Sequence, residues 1–144
     1  MRGEAITTIV TIAVIGGTAT FMLLRESRGR AIYLDHCAGC HGVYLEGAPN
    51  WQERLPDGRW PAPPHDATGH TFHHPDELLF TIVRDGPQAV LGPTYRTDMP
   101  AFAGILSDEE IRSVLAYIKS TLPAELREYQ DLMTRPPAAR LLQP

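Results

Sequence analysis

Two cysteines and a histidine within positions 37–41 constrain this chain more than any other feature. Cys37, Cys40 and His41 form a C-x-x-C-H pattern, and the chain has no further cysteine. Thiols one helical turn apart are placed to add to the two vinyl groups of a haem, and the adjacent imidazole then lies beneath the iron as an axial ligand. The pattern predicts one covalent haem c, with His41 as the proximal ligand.

Other uses of the two thiols explain the motif less completely. A structural zinc site needs a second pair of ligands in matching spacing, and the sequence offers no second C-x-x-C. A thioredoxin-like dithiol follows a strand at the head of a βαβ unit, and no strand pattern precedes Cys37. A plain disulfide stays open as an alternative, but it leaves His41 unexplained.

An apolar run precedes this motif. Residues 5–24 contain no charged side chain, and as a helix this stretch would span roughly the 30 Å of a bilayer core. A cleaved signal peptide is the alternative, but the run is long for one and no A-x-A-like site follows it. We expect an uncleaved transmembrane helix, with residues 1–28 forming the anchor and a short linker. Small residues four apart, such as Ala13 and Gly17, either contact a neighbouring transmembrane helix or are merely tolerated in lipid.

Charge is unevenly distributed along the chain. The net charge is −4, but residues 31–144 alone carry 9 basic and 15 acidic side chains, a balance of −6. This excess argues against nucleic acid and for a redox partner with a basic docking face.

Residues 29–42 resemble the N-terminal helix and haem site of monohaem class I cytochromes c. The resemblance rests on Gly29-Arg30-Ala31-Ile32-Tyr33, on the C-A-x-C-H motif and on the glycine that follows it. It implies that Gly29 permits a close crossing with a C-terminal helix and that Tyr33 packs into that crossing. Residues 115–119 resemble the C-terminal helix of the family, with Tyr117 near the crossing.

The second axial ligand is expected at Met99. Residues 92–102 resemble the Met-Pro-x-Phe loop that supplies the distal methionine in this family, and a thioether is a soft ligand that raises the haem potential. Of the other methionines, Met1 and Met22 lie in the anchor region and Met133 lies in the tail. Two alternatives stay open, a buried core methionine and a histidine as the sixth ligand.

Residues 43–74 read as an irregular segment, because five prolines prevent a long helix. The family resemblance implies that a proline carbonyl in this segment binds the other ring nitrogen of the proximal histidine, and Pro49 is the best candidate. We expect Trp51 and Trp60 to cover the haem, or to bind its propionates together with Arg54 and Arg59.

The same segment is rich in histidine. One interpretation is a second metal site, and the other is a polar loop that leads into a helix. The histidines concerned are His65, His70, His73 and His74.

Periodicity and capping signals predict three helices after this segment. The first begins at His74-Pro75, with the proline at N1, and ends at Asp85-Gly86. The second begins with a capping box from Ser107 to Glu110 and ends near Leu122-Pro123. Residues 124–134 can form one more short amphipathic helix.

The sequence therefore predicts an all-α class I cytochrome c fold preceded by a single N-terminal transmembrane helix. The expected divisions are 1–28 for the anchor, 29–123 for the haem domain and 124–144 for the tail. The expected function is one-electron transfer by a carrier that is not itself an enzyme, within or beside a membrane redox complex. The alternatives are a haem-based sensor or peroxidase-like protein with a displaceable sixth ligand, and a metal-binding periplasmic protein.

The expected location is the periplasmic face of the inner membrane, because the resemblance implies haem attachment on the outer side. The arginines after residue 24 favour the opposite orientation by the positive-inside rule. The linker, residues 25–28, is too short for a swinging tether, which favours a fixed subunit over a roaming carrier.

Overall fold

The structure, a computed structural model, describes residues 23–136, and this part of the chain is helical. Helix α1 covers residues 23–36, and the short helix α2, Ala38–His41, follows it after one turn residue. After a long irregular segment come a 3₁₀ helix and four α-helices. These are the 3₁₀ helix Thr71–His73, α3 Asp76–Asp85, α4 Pro87–Leu91, α5 Asp108–Thr121 and α6 Ala124–Thr134.

No strand occurs within residues 23–136, where the only extended pairings are two isolated bridges. The all-α prediction is therefore confirmed for the described part. The predicted membrane anchor lies almost wholly outside the described residues. Among the helices of residues 23–136, none combines the length and the apolar character that a membrane crossing requires.

The crossing of α1 and α5 forms the centre of the core. A β-carbon added at Gly29 would overlap the Ser113 carbonyl oxygen and lie 2.9 Å from the Tyr117 Cβ, so only glycine allows this approach. Tyr33 is fully buried, and its ring centroid lies 5.6 Å from that of Tyr117. The expected roles of Gly29, Tyr33 and Tyr117 are confirmed.

Residues 25–28, expected to be a linker, belong to α1 and are fixed to α5. Arg28 forms ion pairs of 3.3 and 3.1 Å with Glu109 and Glu110, and the Arg25 guanidinium donates to the Arg112 carbonyl at 3.1 Å. Exposed pairs of this kind contribute little stability singly, but together they fix the direction in which α1 leaves the domain.

Helix α5 begins as its sequence predicts. Ser107 and Glu110 form both hydrogen bonds of the capping box, and the helix ends before Leu122-Pro123. The apolar positions Ile111, Val114 and Ile118 are buried.

One helix boundary differs from its prediction, and one helix was not predicted. Pro75 is the N-cap of α3 and not its first residue, while Gly86 ends that helix as expected. Helix α4 was not predicted, because it is a five-residue turn of chain that begins directly after the glycine that ends α3. The prediction of α6 is confirmed.

Helix α6 packs on the 3₁₀ helix and on the start of α3. The Tyr129 ring makes an edge contact with Phe72 at 6.3 Å, and the Thr134 hydroxyl accepts from the Asp76 N–H at 3.1 Å. The C-terminal helix therefore holds the histidine-rich segment against the domain.

Candidate haem site

The motif that carries the two thiols is a continuation of α1. Cys37 is the turn residue between α1 and α2, and its carbonyl accepts from the backbone N–H groups of Cys40 and His41 at 3.1 and 2.9 Å. This geometry places the two thiols one turn apart, and neither is in a disulfide.

The two thiols differ in environment. Cys37 is half-buried and Cys40 is exposed. Burial, with a smaller contribution from Cys40, raises the pKa of Cys37 to about 11, so its thiol is protonated at neutral pH.

The imidazole of His41 is buried and held by a single backbone carbonyl. Its Nδ1 lies 2.8 Å from the Pro63 oxygen, which can only accept a hydrogen bond. Nδ1 therefore carries the proton, and Nε2 keeps a lone pair that is free to bind iron. Burial lowers the pKa of His41, and the bond to Pro63 opposes this shift only in part.

The prediction that Pro49 supplies this carbonyl is wrong. Pro49 lies at an exposed turn, whereas the chain doubles back through the bond from the Ala48 N–H to the Ala62 oxygen, 2.9 Å. That pairing brings Pro63 beneath the imidazole. The correct proline is thus set by a contact between two parts of the loop and not by its distance from the motif.

Pro63 also lines a cavity of about 660 Å³, and Tyr95, from the loop that carries Met99, lines it as well. The four predicted haem residues are not among those that line it. The remaining lining residues are Trp51, Gln52, Trp60, Pro61 and His70. Its walls are largely aromatic and apolar, as a flat macrocycle requires.

The loop that carries Met99 is fastened to the wall of this cavity. The Trp60 N–H donates to the Arg96 carbonyl at 2.7 Å, and Arg59 forms an ion pair with Asp98, next to Met99. Met99 itself is half-buried and packs on the apolar core that also contacts Cys37. Met99 and Cys37 thus pack on the same core, and the loop that carries Met99 is bonded to Trp60 in the cavity wall.

The arginines expected near the haem propionates already have partners. Arg59 pairs with both Asp57 and Asp98, and the carboxylate bonds hold its pKa above the usual range. The Arg54 guanidinium lies 4.6 Å from the Trp60 ring and donates to the Gly58 carbonyl. Through these contacts both arginines stabilise the loop that forms the cavity wall.

The four clustered histidines contact different sets of aromatic rings. His65 packs on His41, His70 stacks on Trp51 and makes an edge contact with His74, and His73 packs on Phe72 and Tyr129. Residues 23–136 contain no group of three or more His, Cys, Asp or Glu arranged to hold a metal ion. Sequence reasoning missed the role of Pro63 and the contact of His65 with His41, because both depend on how the irregular segment folds back.

These observations fit a covalently bound haem. Two free thiols, an imidazole with its Nδ1 occupied and a thioether that packs on the same core as Cys37 are the donor set that such a group needs, and Pro63 also lines an aromatic cavity. A family model described as cytochrome C oxidase, cbb3-type, subunit III matches residues 25–118, which is more than half of the chain. The chain belongs to this family.

Membership in the cbb3-type subunit III family confirms the resemblance to c-type cytochromes. The chain is therefore a cytochrome c domain, and such domains transfer electrons through covalently bound haem. The matched residues run from the third described residue of α1 to most of α5, so α6 lies beyond them.

The chain is also similar to part of one curated protein. The chain is 29% identical over 133 residues to a nitrite reductase from Stutzerimonas stutzeri, a match that covers 86% of this chain and 21% of that protein. The chain thus spans about a fifth of the length of this relative. No solved structure matches the chain.

Proposed function

We propose that this protein transfers single electrons through one haem c, attached at Cys37 and Cys40 and ligated by His41 and Met99. The observation that carries the proposal is the 2.8 Å hydrogen bond between His41 Nδ1 and the Pro63 carbonyl. This bond fixes the tautomer in which Nε2 is free to bind a metal, and it makes the imidazole a stronger ligand.

The residues around the site have separate tasks in this proposal. The haem supplies an iron that changes reversibly between its ferric and ferrous states. Cys37 and Cys40 hold it in one orientation, and the thioether of Met99 favours the ferrous state. Trp51 and Trp60 limit the access of water to the cavity, which also favours the less charged, ferrous form.

We further propose that the protein works as a fixed subunit of a membrane redox complex. Two observations support this, the family name of an oxidase subunit and the likeness to part of a nitrite reductase. In this proposal residues 1–28 anchor the chain, residues 29–123 form the haem domain at the periplasmic face of the inner membrane, and residues 124–144 form the tail. The charge of −6 on residues 31–144 suits a partner with a basic docking face, and the anchor can contact neighbouring transmembrane helices.

The path of α1 supports a fixed position. Residues 25–28 are helical and rise about 6 Å, whereas an extended tether of the same length would reach about 14 Å. The contacts of Arg25 and Arg28 with α5 hold this part of the helix against the haem domain. A haem domain connected in this way would stay close to the membrane surface.

The ligand assignment is tested by replacing Met99. Methionine–iron charge transfer gives ferric cytochromes c a weak far-red absorption band. In Met99→Ala this band should disappear, and the reduction potential should fall by part of the roughly 0.8 V range over which axial ligands act. Met133→Leu, a change in α6 remote from the site, is the control. An unchanged band and potential in Met99→Ala would remove Met99 from the site and make the nearby histidines the next candidates.

The complex is tested by mild detergent extraction followed by native sizing with detection of haem. We expect the haem of this chain to migrate with a much larger assembly. Migration as a free monomer, under conditions that keep neighbouring complexes intact, would instead support a diffusing carrier.

A further inference from the structure

A second imidazole lies flat against the axial histidine. The ring centroids of His65 and His41 are 4.1 Å apart, and the ring planes differ by only 22°. This is a face-to-face contact, unlike the edge contact that His65 makes with Tyr33, where the centroids are 6.4 Å apart and the planes differ by 73°.

The His65 ring is held in place from several directions. Its Nδ1 lies 2.8 Å from the hydroxyl of Thr71, a buried residue of the 3₁₀ helix, and its backbone N–H donates to the Leu45 carbonyl at 2.8 Å. The edge of Tyr33, from α1, closes a third side. A ring fixed by three separate elements can serve as a rigid surface for another ring.

The ring of His41 turns about its Cβ–Cγ bond, and the Pro63 bond restrains this rotation only through one hydrogen bond at Nδ1, which tolerates a range of angles. The flat contact with His65 opposes such a rotation, because it would push one edge of His41 into the neighbouring ring.

We propose that His65 is a positioning residue that sets the plane of the His41 imidazole, and so the orientation of the proximal ligand at the haem. This inference rests on the proposed function, in which His41 binds the iron. Pro63 then determines which nitrogen of His41 faces the iron, and His65 determines how the ring is turned. The histidine-rich segment thereby acts on the haem through the axial ligand.

The test variants distinguish a flat aromatic ring at position 65 from a side chain that only fills the same volume. His65→Phe keeps a flat aromatic face but loses the bond to Thr71, whereas His65→Leu fills a similar volume without a flat face. Thr71→Val leaves both imidazoles in place and removes only the hydrogen bond to the His65 ring. His73→Leu is a matched control, since His73 belongs to the same segment but packs on Phe72 and Tyr129.

The measurement is proton NMR of the full-length ferric holoprotein, because the shifts of the haem methyl groups depend on the orientation of the axial ligand planes. We expect His65→Leu to change the order and spread of these shifts most, His65→Phe to change them less because it keeps a flat ring but loses the bond to Thr71, and His73→Leu to stay close to wild type. Wild-type shifts in His65→Leu, or equal changes in the Leu and Phe variants, would overturn the proposal.

Two further measurements cover the case in which His65→Leu loses its haem and test separately whether His41 is the ligand. If His65→Leu fails to retain haem, Thr71→Val should show a smaller change in the same methyl shifts, and a wild-type pattern there would overturn the proposal. The wild-type spectrum tests the proposed function separately, because iron-shifted ring protons of His41 must be present if that residue is the ligand. Their absence would contradict the ligand assignment itself.

Discussion

The crossing of α1 and α5 and the irregular segment 43–74 both serve the haem motif, but they do so through different kinds of contact. In the crossing, two regular helices approach closely at Gly29, and Tyr33 packs on Tyr117 beside that contact. The segment has no helix before residue 71 and supports His41 through one carbonyl and one ring. The crossing therefore controls whether the domain folds, and the segment controls how the ligand is held.

The largest effect is expected from Gly29→Val. The valine side chain would be forced into the Ser113 carbonyl, and overpacking of this kind costs about 3 kcal/mol. Thermal unfolding of the holoprotein should show a much lower Tm, while the folded fraction keeps a near-wild-type reduction potential. Ala31→Val, at an exposed position of the same helix, is the control. A stability equal to that of the control would contradict the close crossing.

Gly47→Ala should have a smaller effect on stability and a larger one on the haem. Gly47 has φ of 69°, and a β-carbon there would lie 2.7 Å from the carbonyl carbon of Pro63. The strain should cost about 1–3 kcal/mol and displace the oxygen that binds His41, which would shift the reduction potential. Gly58→Ala is a matched control, because Gly58 has φ of 85° but no backbone within reach of a β-carbon. Equal reduction potentials in Gly47→Ala and Gly58→Ala would show that the position of the Pro63 carbonyl does not affect the haem.

This contrast explains how much the sequence could predict. The crossing was predictable because its signals are local: a glycine and a tyrosine at fixed positions before Cys37, and an apolar period that follows a capping box at Ser107. The Met99 loop is likewise a local motif, and the assignment of Met99 as the sixth ligand stays a prediction.

The support of His41 was not predictable in the same way. Five prolines lie between residues 49 and 64, and nothing in their spacing distinguishes Pro63. The pairing of Ala48 with Ala62 makes that choice, and it is a contact between two irregular stretches. The ring contact of His65 has the same origin, since it depends on a bond to Thr71 in a 3₁₀ turn that carries no clear sequence signal.

The smallest effect concerns the start of α5. Hydrogen bonds from Ser107 and Arg28 lower the pKa of Glu110 to about 2. Because the folded-state pKa lies below that of the unfolded chain, the contribution of this carboxylate is complete above about pH 4.5 and is lost as the pH falls towards 2. Glu110→Gln should reduce the acid dependence of stability in this range, as measured by urea unfolding at several pH values. The neighbouring Glu109→Gln should follow the wild type more closely, and an identical slope in Glu110→Gln and wild type would contradict the capping role.

The central claim is that the motif at residues 37–41 carries one covalent haem. It is tested most directly by expressing the full chain together with a haem-attachment system, then combining denaturing electrophoresis and haem staining with intact-protein mass spectrometry. The wild type should stain after denaturation and carry the mass of one haem, and the Cys37→Ala, Cys40→Ala double variant should do neither. Covalent haem that persists in the double variant, or a wild type without covalent haem, would contradict the account.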